Sequence, residues 1–260
     1  MTISPAIKEN YLYNLAKQGK RSDGRSFNEF REISIEPGVI SKAEGSAKVK
    51  IGNTQVIAGI KMDVGEPYPD TPNSGVITTA AELIPLASPD FEAGPPRENA
   101  IELARVVDRG IRESNVIALE DLCITPGEKI WIVFIDIHII DYDGNLFDCA
   151  SLAALAALYN ATVPASRFEL GDDYSLPMRD PPISCTSVKF KDVVVIDPSL
   201  DEEEIADARL TVATDKDGDI RAMQKGLNGS FTVEEIKKVI KESLDNGKKL
   251  REKLNQSVGK

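Results

Sequence analysis

Histidine, cysteine and tryptophan are scarce in this chain, and each scarcity removes a class of chemistry. The 260 residues include one histidine, His138, three cysteines and one tryptophan. A lone histidine rules against histidine triads and zinc sites, and its place in the most apolar run of the chain suits a hydrogen-bonded core residue. Cys123, Cys149 and Cys185 are odd in number and far apart, which fits buried, reduced thiols in a cytosolic protein better than disulfides. No apolar stretch approaches the roughly 20 residues of a membrane-spanning helix, so no membrane association is expected. Residues 1–20 carry charged and amide side chains where a signal peptide has its apolar region, so nothing directs export and a cytoplasmic location is expected. Gly-x-Ser-x-Gly, Walker and Cys–His patterns are missing as well, and no cofactor is assigned.

What is present reads as an ordinary globular protein. A composition of 42% hydrophobic and 28% charged residues is neither disordered nor fibrous. At about 150 residues per domain the length predicts one large or two small domains. The formal net charge of -11, from 31 basic and 42 acidic residues, excludes a wholesale electrostatic grip on nucleic acid. Any contact with RNA must be local.

Along the chain, residues 9–20 predict a short polar helix, and the basic, turn-rich segment Gly19-Lys20-Arg21-Ser22-Asp23-Gly24-Arg25 is expected at the surface. Alternation of Ala47, Val49 and Ile51 with lysines, then Gly52-Asn53, then residues 56–62 predicts a hairpin after a first strand at Ile33 and Ile35. Residues 65–72 are too proline-dense for a regular element, and another strand follows over 75–84. Pro95-Pro96 is expected to open a helix reaching about Ser114, with Ala100, Leu103, Ala104, Val107 and Ile111 on a core face. Arg97, Arg105, Arg109 and Arg112 share a second arc about 120° wide.

Residues 130–140 form a β-branched run of the kind buried on both sides of a sheet, ending in the turn Asp141-Tyr142-Asp143-Gly144-Asn145. Residues 147–160 predict a helix apolar almost all round and therefore internal. Residues 162–182 mark a boundary, after which strands are expected at 185–190, 193–196, 210–214 and 220–224. Thr232 with Glu235 forms a capping box for a last helix carrying Ile236, Val239, Ile240 and Leu244. The fold class is α+β, with an N-terminal helix and basic turn over 1–30, one unit over 31–165 and a second over 183–260, each with a mixed sheet under helices.

Several motifs have plain explanations. Asp215-Lys216-Asp217-Gly218-Asp219 resembles a calcium loop, but its glycine comes too early and Gly226 stands where a bidentate glutamate belongs, so a hairpin turn is expected. Asp136, Asp141, Asp143 and Asp148 suggest metal ligands, yet turn chemistry accounts for residues 141–145. Lys225 to Ser230 reads as a strand-to-helix loop rather than a phosphate cradle. The arginine arc has two readings. One is a solvated helix side with pairs such as Arg109 to Glu113; the other is a row of guanidiniums placed to hold phosphates.

At Arg21-Ser22-Asp23-Gly24-Arg25, Gly45-Ser46-Ala47, Ile51-Gly52-Asn53-Thr54-Gln55-Val56, Gly94-Pro95-Pro96-Arg97-Glu98-Asn99-Ala100, Arg105-Val106-Val107-Asp108-Arg109, Asp197-Pro198-Ser199-Leu200 and Ala222-Met223-Gln224-Lys225-Gly226 the chain resembles the RNase PH family. Because these motifs occur in order from about residue 9 to the last helix, the resemblance spans nearly the whole chain. Within the family it looks most like the non-catalytic ring subunit of the archaeal exosome. The resemblance implies an RNase PH fold of two βαβα-type subdomains. It also implies a family chemistry of phosphorolysis, in which inorganic phosphate attacks the 3′-terminal linkage of RNA and releases a nucleoside diphosphate. Such chemistry needs a cradle for the phosphate and a carboxylate pair for a metal ion or a proton.

Both parts depart from the family's pattern. Where catalytic members carry the phosphate-holding arginine after the central strand, this chain has Phe147, with Asp148 beside it as a charge that repels an anion. Where they carry aspartates in the second half, this chain keeps Asp197, has Glu203, and reverses the charge at Arg209. The acidic run 201–204 then reads as a solvated helix start. The resemblance therefore implies a chain inactive alone, paired with a catalytic RNase PH-like paralogue in a hexameric ring (a trimer of heterodimers), accompanied by RNA-binding cap proteins. Single-stranded RNA is contacted by Arg105 and Arg109, with Arg112 a further candidate. Two alternatives stay open: a phosphorolytic exoribonuclease in its own right, using Asp197 and Glu203, and a free RNA-binding protein.

Overall fold

The computed structural model describes residues 5–259. Its elements follow in the order α1 (Pro5–Lys17), β1 (Ile33–Pro37), β2 (Gly45–Ile51), β3 (Thr54–Gly65), β4 (Val76–Leu83), α2 (Glu98–Glu113), β5 (Cys123–Thr125), β6 (Lys129–Asp141) and α3 (Leu146–Tyr159). Two short strands, β7 (Thr162–Val163) and β8 (Tyr174–Ser175), lead to β9 (Ile183–Phe190), β10 (Val193–Ile196), α4 (Leu200–Glu204), β11 (Ala208–Thr214), β12 (Ile220–Gly226) and α5 (Val233–Ser257). The α+β class, the order of helices and strands and the long loop after residue 65 agree with the sequence reading.

Strand alternation builds two large sheets, beside the small antiparallel pair β7-β8. The first has the order β1-β2-β3-β6-β4, with β5 on β6; β4 runs parallel to β6 and the remaining pairs are antiparallel. The second, β10-β9-β11-β12, pairs antiparallel throughout, so only the first sheet is mixed. In the second half each strand returns by a short hairpin or by α4, and no crossover long enough for a parallel pair intervenes.

The run at 130–140 alternates instead of being buried on both faces. Trp131, Val133, Ile135, Ile137 and Ile139 are buried, while Ile132, Phe134, Asp136 and His138 lie on a half-exposed outer face. His138 is thus not a core residue; its Nδ1 lies 3.4 Å from the Glu82 carboxylate on β4. The β-branched density of this strand reflects its central place between β3 and β4 rather than two covered faces. Cys149 and Cys185 are buried as expected, whereas Cys123 is half-exposed.

The inner faces meet on α3. This helix is buried at every position from Phe147 to Leu158, packing on β2 and β3 on one side and β9 on the other. A single cluster of buried side chains runs from the first sheet through Leu152, Leu155 and Leu158 to Ile183 and Ile196 of the second sheet and Leu254 of α5. Each fully buried leucine contributes roughly 1.5–3 kcal/mol. The capping box at the start of α5 forms as read, with the Thr232 hydroxyl accepting from the Glu235 N–H and the Glu235 carboxylate accepting from the Thr232 N–H.

The basic segment at 19–25 is a surface turn at Gly19, Lys20, Ser22, Asp23 and Gly24, as read, but its two arginines turn inward. Arg21 is 5% exposed; its Nε donates to the Glu202 carboxylate at 2.9 Å, its Nη1 to the Ile196 carbonyl and its Nη2 to the Asp197 carbonyl. A buried charge survives only when paired and hydrogen-bonded, and here both conditions are met. The acidic run at 201–204 is accordingly divided. Asp201 and Glu204 face solvent beside Lys8, Glu202 is buried against Arg21, and Glu203 turns toward β6.

Candidate nucleic-acid interface

Helix α2 carries the predicted arginines. Pro95 and Pro96 precede it rather than occupy its first turn, and Arg97 is the N-cap, paired with Glu92. Its core face is buried as read, with Ala100, Leu103, Ala104, Val107 and Ile111 against β4 and α3. A second stripe, Glu102, Val106 and Arg109, faces β11 and β12. Arg105, Arg109 and Arg112 are all exposed, but their guanidiniums differ in commitment. Among the described residues Arg105 has no side-chain hydrogen bond or ion pair. Arg109 donates to the Gln224 side-chain oxygen at 3.0 Å. Arg112 grips Asp108 with two bonds of 3.0 and 2.9 Å and also donates to the Ile77 carbonyl. The expected Arg109–Glu113 pair is replaced by Asp108–Arg112, because Arg109 turns toward β12 instead.

The turn after β6 places Phe147. Gly144 has φ +87, and a Cβ there would lie 2.5 Å from the Pro198 carbonyl oxygen, so this position takes glycine for both reasons. Asn145 follows with φ +56, caps α3, and its side-chain amide donates to both Asp148 (2.9 Å) and Asp197 (2.7 Å). Phe147 is 7% exposed, and the Arg209 guanidinium sits over its ring, 4.0 Å from the centroid. Arg209 also pairs with Glu102 on α2. The two departures from the family's catalytic pattern, far apart in sequence, are therefore in contact.

The acids are engaged too. Asp197 is fully buried and accepts from the Arg31 backbone and guanidinium, from Arg25 and from Asn145. Burial alone would raise its pKa; the bonds and charge of Arg31 outweigh that and hold it below the usual carboxylate range. Glu203 accepts from the Tyr142 hydroxyl at 2.7 Å and from the Asn145 N–H at 2.9 Å, and burial pushes its carboxyl up. Asp148 does not face an anion position: it points inward, accepting from the Thr186 N–H and hydroxyl, and burial pushes it up to about 7. Among the described residues no group of three or more His, Cys, Asp or Glu is placed to hold a metal ion.

A cavity of about 130 Å³ remains at this point, lined by Phe91, Tyr142, Phe147, Glu203 and Arg209 among others. Its one cation is already neutralised by Glu102, and its walls are aromatic and acidic, which disfavours a free phosphate. Arg31, Asn145, Glu102 and Gln224 were not singled out in the sequence. Their partners lie between 52 and 166 residues away, so spacing alone carried no signal.

Known proteins resemble this chain along nearly its whole length. The model of the 3′ exoribonuclease family, domain 1 (RNase PH), matches residues 29–164, and that of domain 2 matches residues 180–246. The chain belongs to this family. It is 57% identical over 248 residues, 95% of each chain, to the exosome complex component Rrp42 of Methanocella arvoryzae. It is 58% identical to the same component of Thermoplasma acidophilum, covering 96% of each chain. A chain of the Archaeoglobus fulgidus exosome with RNA bound to the active site superposes with a TM-score of 0.94 at 54% identity, covering 97% of this chain and 99% of that one.

Proposed function

We propose that this chain is a non-catalytic ring subunit of an archaeal exosome. It pairs with a catalytic RNase PH-like paralogue, helps shape that paralogue's active site and holds single-stranded RNA for 3′-to-5′ phosphorolysis. The observation that carries this reading is the Arg209 guanidinium over the Phe147 ring. It fills the place where catalytic relatives need a phosphate-binding arginine and an acid, with the remaining acids Asp197 and Glu203 bound to protein groups.

The RNA-contacting part is the exposed side of α2, where Arg105 and Arg109 offer guanidiniums suited to phosphate oxygens. The relatives named as exosome complex components support membership of an exosome; the ring shared with the paralogue, the RNA-binding cap proteins and a cytoplasmic location belong to the same proposal. The test is phosphate-dependent release of nucleoside diphosphates from single-stranded RNA by this chain alone, the paralogue alone and the mixture. Full activity only in the mixture, migrating as a hexamer, is the expected result. Release by this chain alone would make it an enzyme in its own right, and a monomer beside its paralogue would make it a free RNA-binding protein.

A further inference from the structure

Arg105 is flanked on α2 by two acids, Glu102 one turn before it and Asp108 one turn after it. Residues three apart on a helix are neighbours, so either carboxylate has the reach to pair with Arg105 and withdraw it from any ligand. Neither does. Glu102 is taken by Arg209 from β11, and Asp108 is taken by both arms of Arg112 together with the Thr79 hydroxyl at 3.2 Å.

Each capturing arginine is itself fixed in place. Arg209 sits on the Phe147 ring, and its Nη2 lies where a Cβ on residue 226 would come within 2.5 Å, so Gly226 leaves room for it. Arg112 is anchored on the Ile77 carbonyl of β4 at 3.1 Å. Arg109, a further exposed guanidinium of this helix, has a neutral partner in Gln224.

We propose that Arg209 and Arg112 are positioning residues that hold Glu102 and Asp108 away from Arg105, keeping its guanidinium unpaired for an RNA phosphate. This rests on the reading of α2 as an RNA-contacting helix, and it reassigns Arg112 from a direct contact to a guard of its neighbour. The charge reversal at Arg209 thereby acquires a use beyond the loss of a catalytic acid.

The test measures affinity of the ring reconstituted with its paralogue for a fluorescent single-stranded RNA, in buffer free of phosphate so that nothing is degraded. Arg105→Gln is expected to weaken binding about fivefold and to lower the salt slope by about 0.7. Arg209→Gln and Arg112→Gln are each expected to weaken it by a similar factor. Arg209→Gln with Glu102→Gln, and Arg112→Gln with Asp108→Asn, are expected to recover most of that loss, which neither a broken clasp nor a lost direct contact would do. If Arg105→Gln weakens binding while the Arg209 and Arg112 variants bind as the parent ring does, or if the double variants stay weak, the guarding role is wrong and the RNA reading of α2 stands. If Arg105→Gln binds normally, both fall.

Discussion

Arg209 of β11 lies over the ring of Phe147 at the start of α3, 4.0 Å from guanidinium carbon to ring centroid, and so joins the second sheet to the central helix. A cation on an aromatic face in a partly desolvated setting contributes on the order of 1–2 kcal/mol, and the pairing with Glu102 extends the same side chain to α2. Strand β11 and helices α3 and α2 are thereby fastened to one another through one side chain.

Replacing Phe147 by arginine therefore does not rebuild a phosphate site. The new guanidinium would enter a position 7% exposed, beside Arg209, and lose the ring on which Arg209 rests. The expected outcome for Phe147→Arg is a loss of roughly 3 kcal/mol in the free energy of unfolding by urea, since an unpaired cation is buried. Release of nucleoside diphosphates by the chain alone should stay at background; appreciable release would show that the aromatic residue was the only obstacle.

Arg105 separates function from stability. It is exposed and holds no partner among the described residues, so Arg105→Ala should leave the unfolding free energy within about 0.5 kcal/mol of the parent. RNA binding by the ring should nevertheless fall, with log affinity depending less steeply on log salt by about 0.7. Arg109→Ala differs, because it also breaks the bond to Gln224 that fastens α2 to β12, and a small loss of thermal stability should accompany its loss of affinity.

Local patterns made much of this fold legible. The alternation at Ala47, Val49 and Ile51 gave β2, the near all-round apolarity of 147–160 gave an internal α3, and Thr232 with Glu235 gave the start of α5. Phe147 and Arg209 stood out singly as departures from a family pattern. Their contact did not, because it depends on how β11 crosses α3. The inward turn of Arg21 and Arg25 is hidden from the sequence for the same reason. A basic turn rich in glycine looks solvated when its partners, Glu202 and Asp197, are 181 and 172 residues away. The alternating burial of β6 was hidden by isoleucines on both faces, since β-branched residues suit a half-covered central strand as well as a fully covered one.

Asp197 is a structural acid, and its variants should behave accordingly. Its carboxylate gathers Arg25, Arg31 and Asn145, so Asp197→Ala strands two partly buried guanidiniums and an amide. A cost of about 3–5 kcal/mol is expected in urea unfolding. Because Arg31 holds this carboxyl below the ordinary range, the contribution is present near neutral pH and is lost as acid protonates the group. A variant that kept its stability but lost activity in the ring would instead make Asp197 part of the chemistry.

Asp148 has the opposite dependence. Burial raises its carboxyl from an ordinary 3.8 to about 7, against the bonds donated by Asn145 and Thr186, and the nearby charge of Asp197 adds to the rise. Between these values the unfolded chain has released the proton and the folded chain still holds it, so the unfolded state binds fewer protons. Stability from this group is therefore full below about pH 4, declines as pH rises, and levels off above about 7. Glu203, also raised by burial, acts with the same sign. Urea unfolding from pH 5 to 8 should show the decline, and Asp148→Asn should remove the part of it nearest neutrality, whatever it does to absolute stability. An unchanged slope in that variant would mean that Asp148 is ionised in the folded chain, its charge carried by the donors of Asn145 and Thr186.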